Sequence, residues 1–197
     1  GNGQSACTQW REAGLPDNRL GEVEALRYLY LAESGDTAVQ VAPIQAESTA
    51  PAHRQLLAVT SFFADETEAH LVLLARALHA DVLKGWQLVV KPHPYLPVEE
   101  RLRALLGRRA SEVRIAQGAI GEELAPGVVV WSSNSTTVAL EAALKGLPVM
   151  SMLPVNDFDL CPLQDVAQLP RTGSVEDVAQ ALATAAPRSE EHTSELQ

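Results

Sequence analysis

Short apolar runs alternate along this chain with longer segments that carry apolar residues at a helical spacing. The apolar runs predict strands, because a strand covered on both faces of a sheet is apolar throughout. Strands and helices that alternate at this spacing predict an α/β fold with a parallel, doubly wound sheet of Rossmann-like type. The predicted strands are, in chain order, residues 56–60, 87–90, 113–116, 128–131 and 148–153.

Local signals at the segment ends predict where the helices begin. Asp65 with Glu68, and Ser174 with Asp177, have the spacing of capping boxes. Pro97 suits the first turn of a helix, and glycines follow several of the apolar segments as stop signals. The predicted helices are residues 4–13, 65–83, 97–106, 135–145 and 174–185, and residues 120–124 are predicted to form a short helix or a turn.

Composition divides the chain further. Residues 33–54 are rich in Ala, Pro, Ser, Thr, Gln and Gly without a period, which predicts a linker. Residues 55–187 are long enough for one α/β domain. Residues 188–197 match an in-frame translation of a common sequencing adapter, so we expect them not to be native; a natural polar tail is the alternative. The sequence begins at Gly1 without Met, and we expect it to be part of a longer reading frame.

Charge and cysteine content exclude some classes of function. The net charge is −10, and the presumed adapter supplies −2 of it (Arg188 against three Glu), which leaves −8. An acidic chain argues against nucleic-acid binding, which needs a basic face. Cys7 and Cys161 follow no metal-ligand spacing and indicate no disulfide framework, so we expect a reducing cytoplasm. No apolar stretch approaches the roughly 20 residues of a membrane span.

Two predicted strands end abruptly in polar clusters. The strand 87–90 runs into Lys91-Pro92-His93-Pro94, and the strand 128–131 runs into the cluster of residues 132–137, Ser-Ser-Asn-Ser-Thr-Thr. Ligands of open α/β sheets bind beyond the carboxyl ends of the strands. A cation with an imidazole at one end, and hydroxyls before a helix N-terminus at the other, favour an anion. The pattern therefore predicts a phosphate or nucleotide site.

The first cluster is stiff, because His93 lies between two prolines that restrict the backbone. On its own, His93 fits a structural role at a strand end as well as an anion contact. Lys91 favours the anion contact, since a lysine is a poor choice for a core position and a good partner for an anion.

The hydroxyl cluster and its surroundings leave alternatives open. The small polar residues 132–137 would be a helix cap, but one or two side chains suffice for capping, which favours ligand binding. Glu141 lies on an otherwise apolar helix; it would bind ribose hydroxyls, or it lies partly exposed on the solvent face. Thr60 and Ser61 end the first strand on the same side of the sheet.

These residues resemble a known family. Lys91-Pro92-His93-Pro94 and Ser132-Ser133, with Glu141-Ala142 and residues 146–149 behind them, resemble the HP and SS motifs of bacterial GT-B glycosyltransferases. The enzymes concerned use CMP-activated sugars: sialyltransferases, polysialyltransferases and capsule Kdo transferases. Residues 9–16 and 22–28 are similar to surface carbohydrate biosynthesis proteins.

The resemblance implies a division of labour. In the GT-B plan a C-terminal domain binds the nucleotide donor, and an N-terminal domain binds the acceptor and supplies the general base. Residues 1–32 would then be a remnant of the N-terminal domain, and the base would lie upstream of Gly1. His93 would stabilise the leaving phosphate without a metal or a cofactor. The implied nucleotide-binding residues are Thr60, Ser61, Lys91, His93, Pro94, Ser132, Ser133, Asn134, Ser135, Thr136 and Glu141.

The resemblance also implies partners and a place in the cell. We expect transfer of a sugar from a nucleotide donor, most simply CMP-linked, to a surface glycan or glycolipid acceptor. The expected location is the cytoplasm at the inner face of the membrane, with membrane association through regions outside this sequence. The alternatives are a sugar-nucleotide epimerase, which needs no acceptor, and a non-catalytic protein that binds nucleotide sugars or assists assembly.

Overall fold

The computed structural model describes residues 3–21, 54–164, 166 and 168–183, which fall into two compact units. The first unit contains helix α1 (Gly3–Glu12), as predicted, and a 3-10 turn at Asp17–Arg19. Gly14 ends the helix with a backbone φ of 89°, a conformation that favours glycine. The predicted linker, apart from Arg54, lies outside the described residues, as do all of residues 22–32 and 188–197.

The second unit is built on a parallel sheet of six strands in the order β3-β2-β1-β4-β5-β6. This order identifies a Rossmann-like sheet, and it confirms the predicted fold class. The strands are β1 (Gln55–Val59), β2 (Gln87–Lys91), β3 (Val113–Ile115), β4 (Val128–Ser132), β5 (Val149–Met152) and β6 (Arg171–Thr172).

Helices cover both faces of the sheet. They are α2 (Ala64–His79), α3 (Glu99–Leu106), α4 (Ile120–Glu123), α5 (Val138–Leu144) and α6 (Val175–Ala183). Leu56 of β1 belongs to a core that includes the apolar sides of α2, α3 and α6. Its neighbour Leu57 belongs to a second core, which includes α5 and the segment near Cys161. Adjacent residues of one strand thus enter opposite cores, which explains why these strands are apolar throughout.

One strand was not predicted. β6 contains only Arg171 and Thr172, which are too few and too polar to give a strand pattern. It pairs with Ser151 and Met152 of β5. Between these two strands the described residues form turns and irregular segments instead of an α-helix.

The two predicted capping boxes have opposite outcomes. At α6 the box is present: Ser174 Oγ accepts a hydrogen bond from Asp177 N at 3.1 Å, and Asp177 Oδ2 accepts one from Ser174 N at 2.9 Å. At α2 the prediction is wrong, because the N-cap residue is Phe63 and no side chain caps the helix. Glu68 instead forms an ion pair with Arg101 of α3, so it is not available to the helix end.

Other helix ends also differ from the prediction. α5 begins at Val138, not at residue 135, because residues 134 and 135 form a turn before the helix. α3 begins after Val98, so Pro97 precedes the helix. α2 ends at His79, and Ala80–Gly85 form turns in place of its predicted last turn.

Candidate functional site

The order of the strands reverses the direction of winding between β1 and β4, and the region beyond their carboxyl ends, where open α/β sheets hold their ligands, is called the crevice below. The chain leaves β1 toward β2 and β3 on one side, and returns to continue through β4 and β5 on the other. Ligands of open α/β sheets bind where the direction of winding reverses in this way. Val59, the last residue of β1, lies opposite Lys91 of β2 and Ser132 of β4. The polar segments singled out in the sequence therefore follow neighbouring strands at this edge.

Backbone hydrogen bonds hold these segments against one another. Thr60 N donates to the carbonyl oxygen of Lys91 at 3.1 Å, and Ser133 N donates to that of Val59 at 2.8 Å. The hydroxyl of Thr60 accepts a bond from His93 N at 3.3 Å. The structure thus brings together the ends of β1, β2 and β4, which the sequence separates by more than seventy positions.

The first members of the hydroxyl cluster face inward. Ser132 and Ser133 are fully buried. The Ser132 hydroxyl lies 3.5 Å from the carbonyl oxygen of Met150, and the Ser133 hydroxyl lies 2.9 Å from His70 Nδ1. These two side chains hold the loop in place, and their assigned phosphate contacts stay predictions.

Asn134 connects this loop to the segment after β5. Its Nδ2 donates to the carbonyl oxygen of Phe158 at 2.6 Å, and its Oδ1 accepts from Leu160 N at 3.0 Å. Thr137, the N-cap residue of α5, makes no side-chain cap bond, but the Thr136 hydroxyl lies 3.5 Å from Val138 N, so the alternative of a helix cap stays open.

Ser135 contacts a carboxylate that the sequence did not single out. Glu66, in the first turn of α2, accepts the N–H of Ser135 at 2.8 Å and its hydroxyl at 2.6 Å. The Ser135 hydroxyl also lies 2.9 Å from that of Ser61. The available signal was position alone: Glu66 lies in the first turn of the helix that follows β1, on the ligand side of the sheet.

His70 is the second residue that the sequence did not reveal. Burial lowers the pKa of its imidazole to about 3, so the ring is neutral at physiological pH. Among the described residues, its Nε2 has no hydrogen-bond partner. The ring packs edge-on against Trp131, whose Nε1 donates to the Thr172 hydroxyl at 2.9 Å. His70 lies on the apolar face of α2 with Leu74 and Ala77, and this position resembles that of an ordinary core residue.

Other predicted side chains are accessible at the edge of the crevice. Lys91, His93, Ser135 and Thr136 are half-buried, and Pro94 is exposed. Lys91 Nζ donates one hydrogen bond, to the carbonyl oxygen of Gly118 at 2.6 Å. An ammonium has three donors, so further ones remain for an anion.

Exposed aromatic rings flank His93. Its ring lies 5.8 Å from that of Phe62 and 5.4 Å from that of Tyr95, measured between centroids. Phe62 is 57% exposed and Tyr95 is 89% exposed. Rings in this setting offer a surface for stacking a base or a sugar. Sequence reasoning assigned neither ring a role in ligand binding.

Glu141 comes from a helix and not from a strand end. It lies in the first turn of α5 and is half-buried, so its predicted ribose contact stays a prediction. No group of three or more His, Cys, Asp or Glu side chains in the described residues is placed to hold a metal ion. Within the same residues, no helix has both the length and the apolar character needed to cross a membrane.

Comparison of the chain with protein-family models and with curated proteins gives no match.

Proposed function

We propose that this domain binds a nucleotide-activated sugar at the carboxyl edge of its sheet and acts in a glycosyltransferase. The reaction would move the sugar from a donor, most simply CMP-linked, to a surface glycan or glycolipid. One observation carries the proposal: the segments that carry Lys91, His93 and the hydroxyl cluster follow neighbouring strands where the strand order reverses, at the ends of β1, β2 and β4. The family resemblance of the same segments supports the choice of reaction.

The accessible groups would bind the donor phosphate. Negative charge builds on that phosphate as the sugar leaves, and fixed donors lower the barrier most when they are aimed at this charge. His93 and Lys91 lie on one side of the end of β1, and Ser135 and Thr136 on the other. The buried Ser132 and Ser133 would act indirectly, because their bonds to Met150 and His70 fix the loop that presents Ser135.

The aromatic rings and Glu141 would bind the nucleoside. A base stacks on an exposed ring regardless of its identity, so Phe62 and Tyr95 would add affinity without choosing the base. The carboxylate of Glu141 would accept hydrogen bonds from ribose hydroxyls.

The test is to incubate the full-length protein with CMP-, UDP- and CDP-linked sugars, each with and without an acceptor glycan, because we expect the present chain alone, whose general base would lie upstream, to be inactive. Transfer to the acceptor supports the proposal. Epimerisation without an acceptor would establish the epimerase alternative, and binding without turnover would establish the binding protein.

His93→Ala probes the site directly. We expect it to lower turnover by about 10²-fold, since it removes a donor to the leaving phosphate. His79→Ala is the matched control. His79 is exposed at the far end of α2, where its Nε2 lies 3.2 Å from the carbonyl oxygen of Leu105. Equal turnover of the two variants would contradict the assignment of His93.

A further inference from the structure

The carboxylate of Glu66 accepts hydrogen bonds from donors at the crevice. Its Oε1 accepts the backbone N–H of Ser135 at 2.8 Å, and its Oε2 accepts the hydroxyl of Ser135 at 2.6 Å. The two carboxylate oxygens thus engage one residue in a fork. A phosphate presents a similar pair of oxygens, so the same donors suit a phosphate edge.

The hydroxyl protons near Glu66 point toward it. An ionised carboxylate has no proton to give, so Ser135 must be the donor to Glu66. Because each hydroxyl has one proton, the 2.9 Å bond between Ser61 and Ser135 must then be donated by Ser61. The Ser61 oxygen in turn accepts the N–H of Phe63 at 3.1 Å. The chain of bonds therefore runs in one direction and ends on Glu66.

Among the described residues, no cation pairs with Glu66. Within the described part of the chain, the ion pairs join other acids to arginines, and Glu66 is in none of them. Glu68 shows the contrast, because it is paired with Arg101. Glu66 is half-buried, so solvent reaches part of it.

We propose that Glu66 is an internal occupant of the phosphate-binding position, and that a ligand phosphate binds by displacing it. The inference rests on the proposed function for the location of the phosphate, and it adds a mode of regulation: the free site is closed by the protein's own carboxylate. The donors of Ser135 can then bond a ligand only after their hydrogen bonds to Glu66 have broken. The apparent association constant is the intrinsic one multiplied by the fraction of molecules in which Glu66 has left the site.

The experiment is calorimetric titration with inorganic phosphate and with CMP, on the wild-type protein and on variants. Glu66→Gln keeps the size of the side chain and removes its charge, and Glu66→Ala removes the competing group altogether. We expect both variants to bind phosphate and CMP about tenfold more tightly, which corresponds to about 1.4 kcal/mol. Thermal unfolding of each variant checks that it is folded.

Glu68→Gln is the matched control. It makes the same change in charge, in the same helix and two residues away, but Glu68 pairs with Arg101 and not with the loop. If the loss of any nearby negative charge strengthened anion binding, Glu68→Gln would bind phosphate more tightly too. We expect its affinity to stay within about twofold of the wild type, since an exposed charge acts weakly at a distance.

Ser135→Ala separates displacement from simple repulsion. If Glu66 competes for the donors of Ser135, the gain from Glu66→Gln falls when the hydroxyl is absent, from about tenfold to less than about threefold. If Glu66 only repels the ligand, the two changes are independent and the gain is unchanged.

The outcomes distinguish this inference from the proposed function. Tighter phosphate binding by both Glu66 variants, dependent on Ser135, supports the inference even if no sugar is transferred. Sugar transfer with unchanged affinity in the Glu66 variants overturns the inference and leaves the function in place. If the folded Glu66 variants bind neither phosphate nor CMP, the inference is overturned. A gain equal to that of Glu68→Gln overturns it as well.

Discussion

The Nδ1 atom of His70 lies 2.9 Å from the hydroxyl oxygen of Ser133, at a depth where both side chains are almost fully shielded from water. This bond joins α2 to the loop after β4. The other ring nitrogen has no partner among the described residues. A charged imidazole in this place would lack any counter-charge from Ser133, so the fold depends on the neutral form.

The buried His70 predicts a loss of stability in mild acid. Its pKa is lowered by burial to about 3 in the folded protein, against the ordinary histidine value of 6.5. Because the pKa is lower in the folded protein, the histidine takes up a proton in the unfolded chain at a higher pH than in the folded one. The stabilising contribution is therefore complete above pH 6.5 and is lost progressively as the pH falls toward 3. Between pH 7.5 and 5, we expect the free energy of unfolding to fall by about 2 kcal/mol from this group.

Urea unfolding at a series of pH values measures this effect. His70→Gln has no titrating ring, so its stability should change little between pH 7.5 and 5, although it starts lower at neutral pH. His79→Gln, which changes an exposed histidine of the same helix, should retain the wild-type slope. A wild-type slope in His70→Gln would show that another group causes the acid sensitivity.

Substitution of Gly173 by alanine should cause a steric clash, and the same substitution at Gly121 should not. A Cβ added at Gly173 would lie 2.8 Å from the carbonyl oxygen of Leu153, closer than real contacts allow. Gly173→Ala should cost about 1–3 kcal/mol, because the backbone between β5 and β6 must shift. Gly121, in α4, has open space at the same position, and Gly121→Ala should be neutral or stabilising by up to about 1 kcal/mol. Denaturant midpoints of the pair test this; equal effects would contradict it.

The capping box of α6 predicts the cost of losing one hydroxyl. Ser174→Ala removes the acceptor for Asp177 N and should lower the free energy of unfolding by about 1 kcal/mol. Ser111→Ala is the control, since the exposed Ser111 hydroxyl lies 3.5 Å from the carbonyl oxygen of Arg108 and should contribute less than about 0.5 kcal/mol. Thermal or urea unfolding checks both, and an unchanged midpoint in Ser174→Ala would show that the cap is not needed.

Lys91 predicts how nucleotide binding depends on salt. If its ammonium contributes to phosphate binding, CMP affinity should fall as salt is raised from about 0.01 to 0.15 M, where the screening length shortens from about 30 to 8 Å. Lys91→Met should bind more weakly at low salt and should show a shallower salt dependence. Lys84→Met, at an exposed lysine before β2, should behave as the wild type. Parallel salt dependences in all three proteins would exclude Lys91 from the site.

The sheet could be predicted from the sequence because its strands are covered on both faces. Leu56 and Leu57 enter different cores, so each must be apolar, and the resulting run is visible without the structure. β6 could not be predicted, since Arg171 and Thr172 have no apolar pattern. Its place depends on pairing with β5, which is a tertiary contact.

The sequence predicts which segments form the site, but it does not predict which side chains contact one another there. Strand ends are local features, so the segments after β1, β2 and β4 were found. The partners of the serines were not, because His70 and Glu66 lie 63 and 69 positions from the residues they contact. The same reason explains the false capping box at α2: Glu68 has the correct spacing, but Arg101, 33 positions away, takes its carboxylate.

Asn134 gives the loop after β4 a mechanical link to a distant part of the chain. Its amide bonds the backbone of Phe158 and Leu160 as a neighbouring strand would, with one donor and one acceptor. A shift of this loop when a ligand arrives would pull on the Leu160 amide. The rate of hydrogen exchange at the Leu160 amide should therefore change when a ligand binds in the crevice, although Leu160 itself lies after β5.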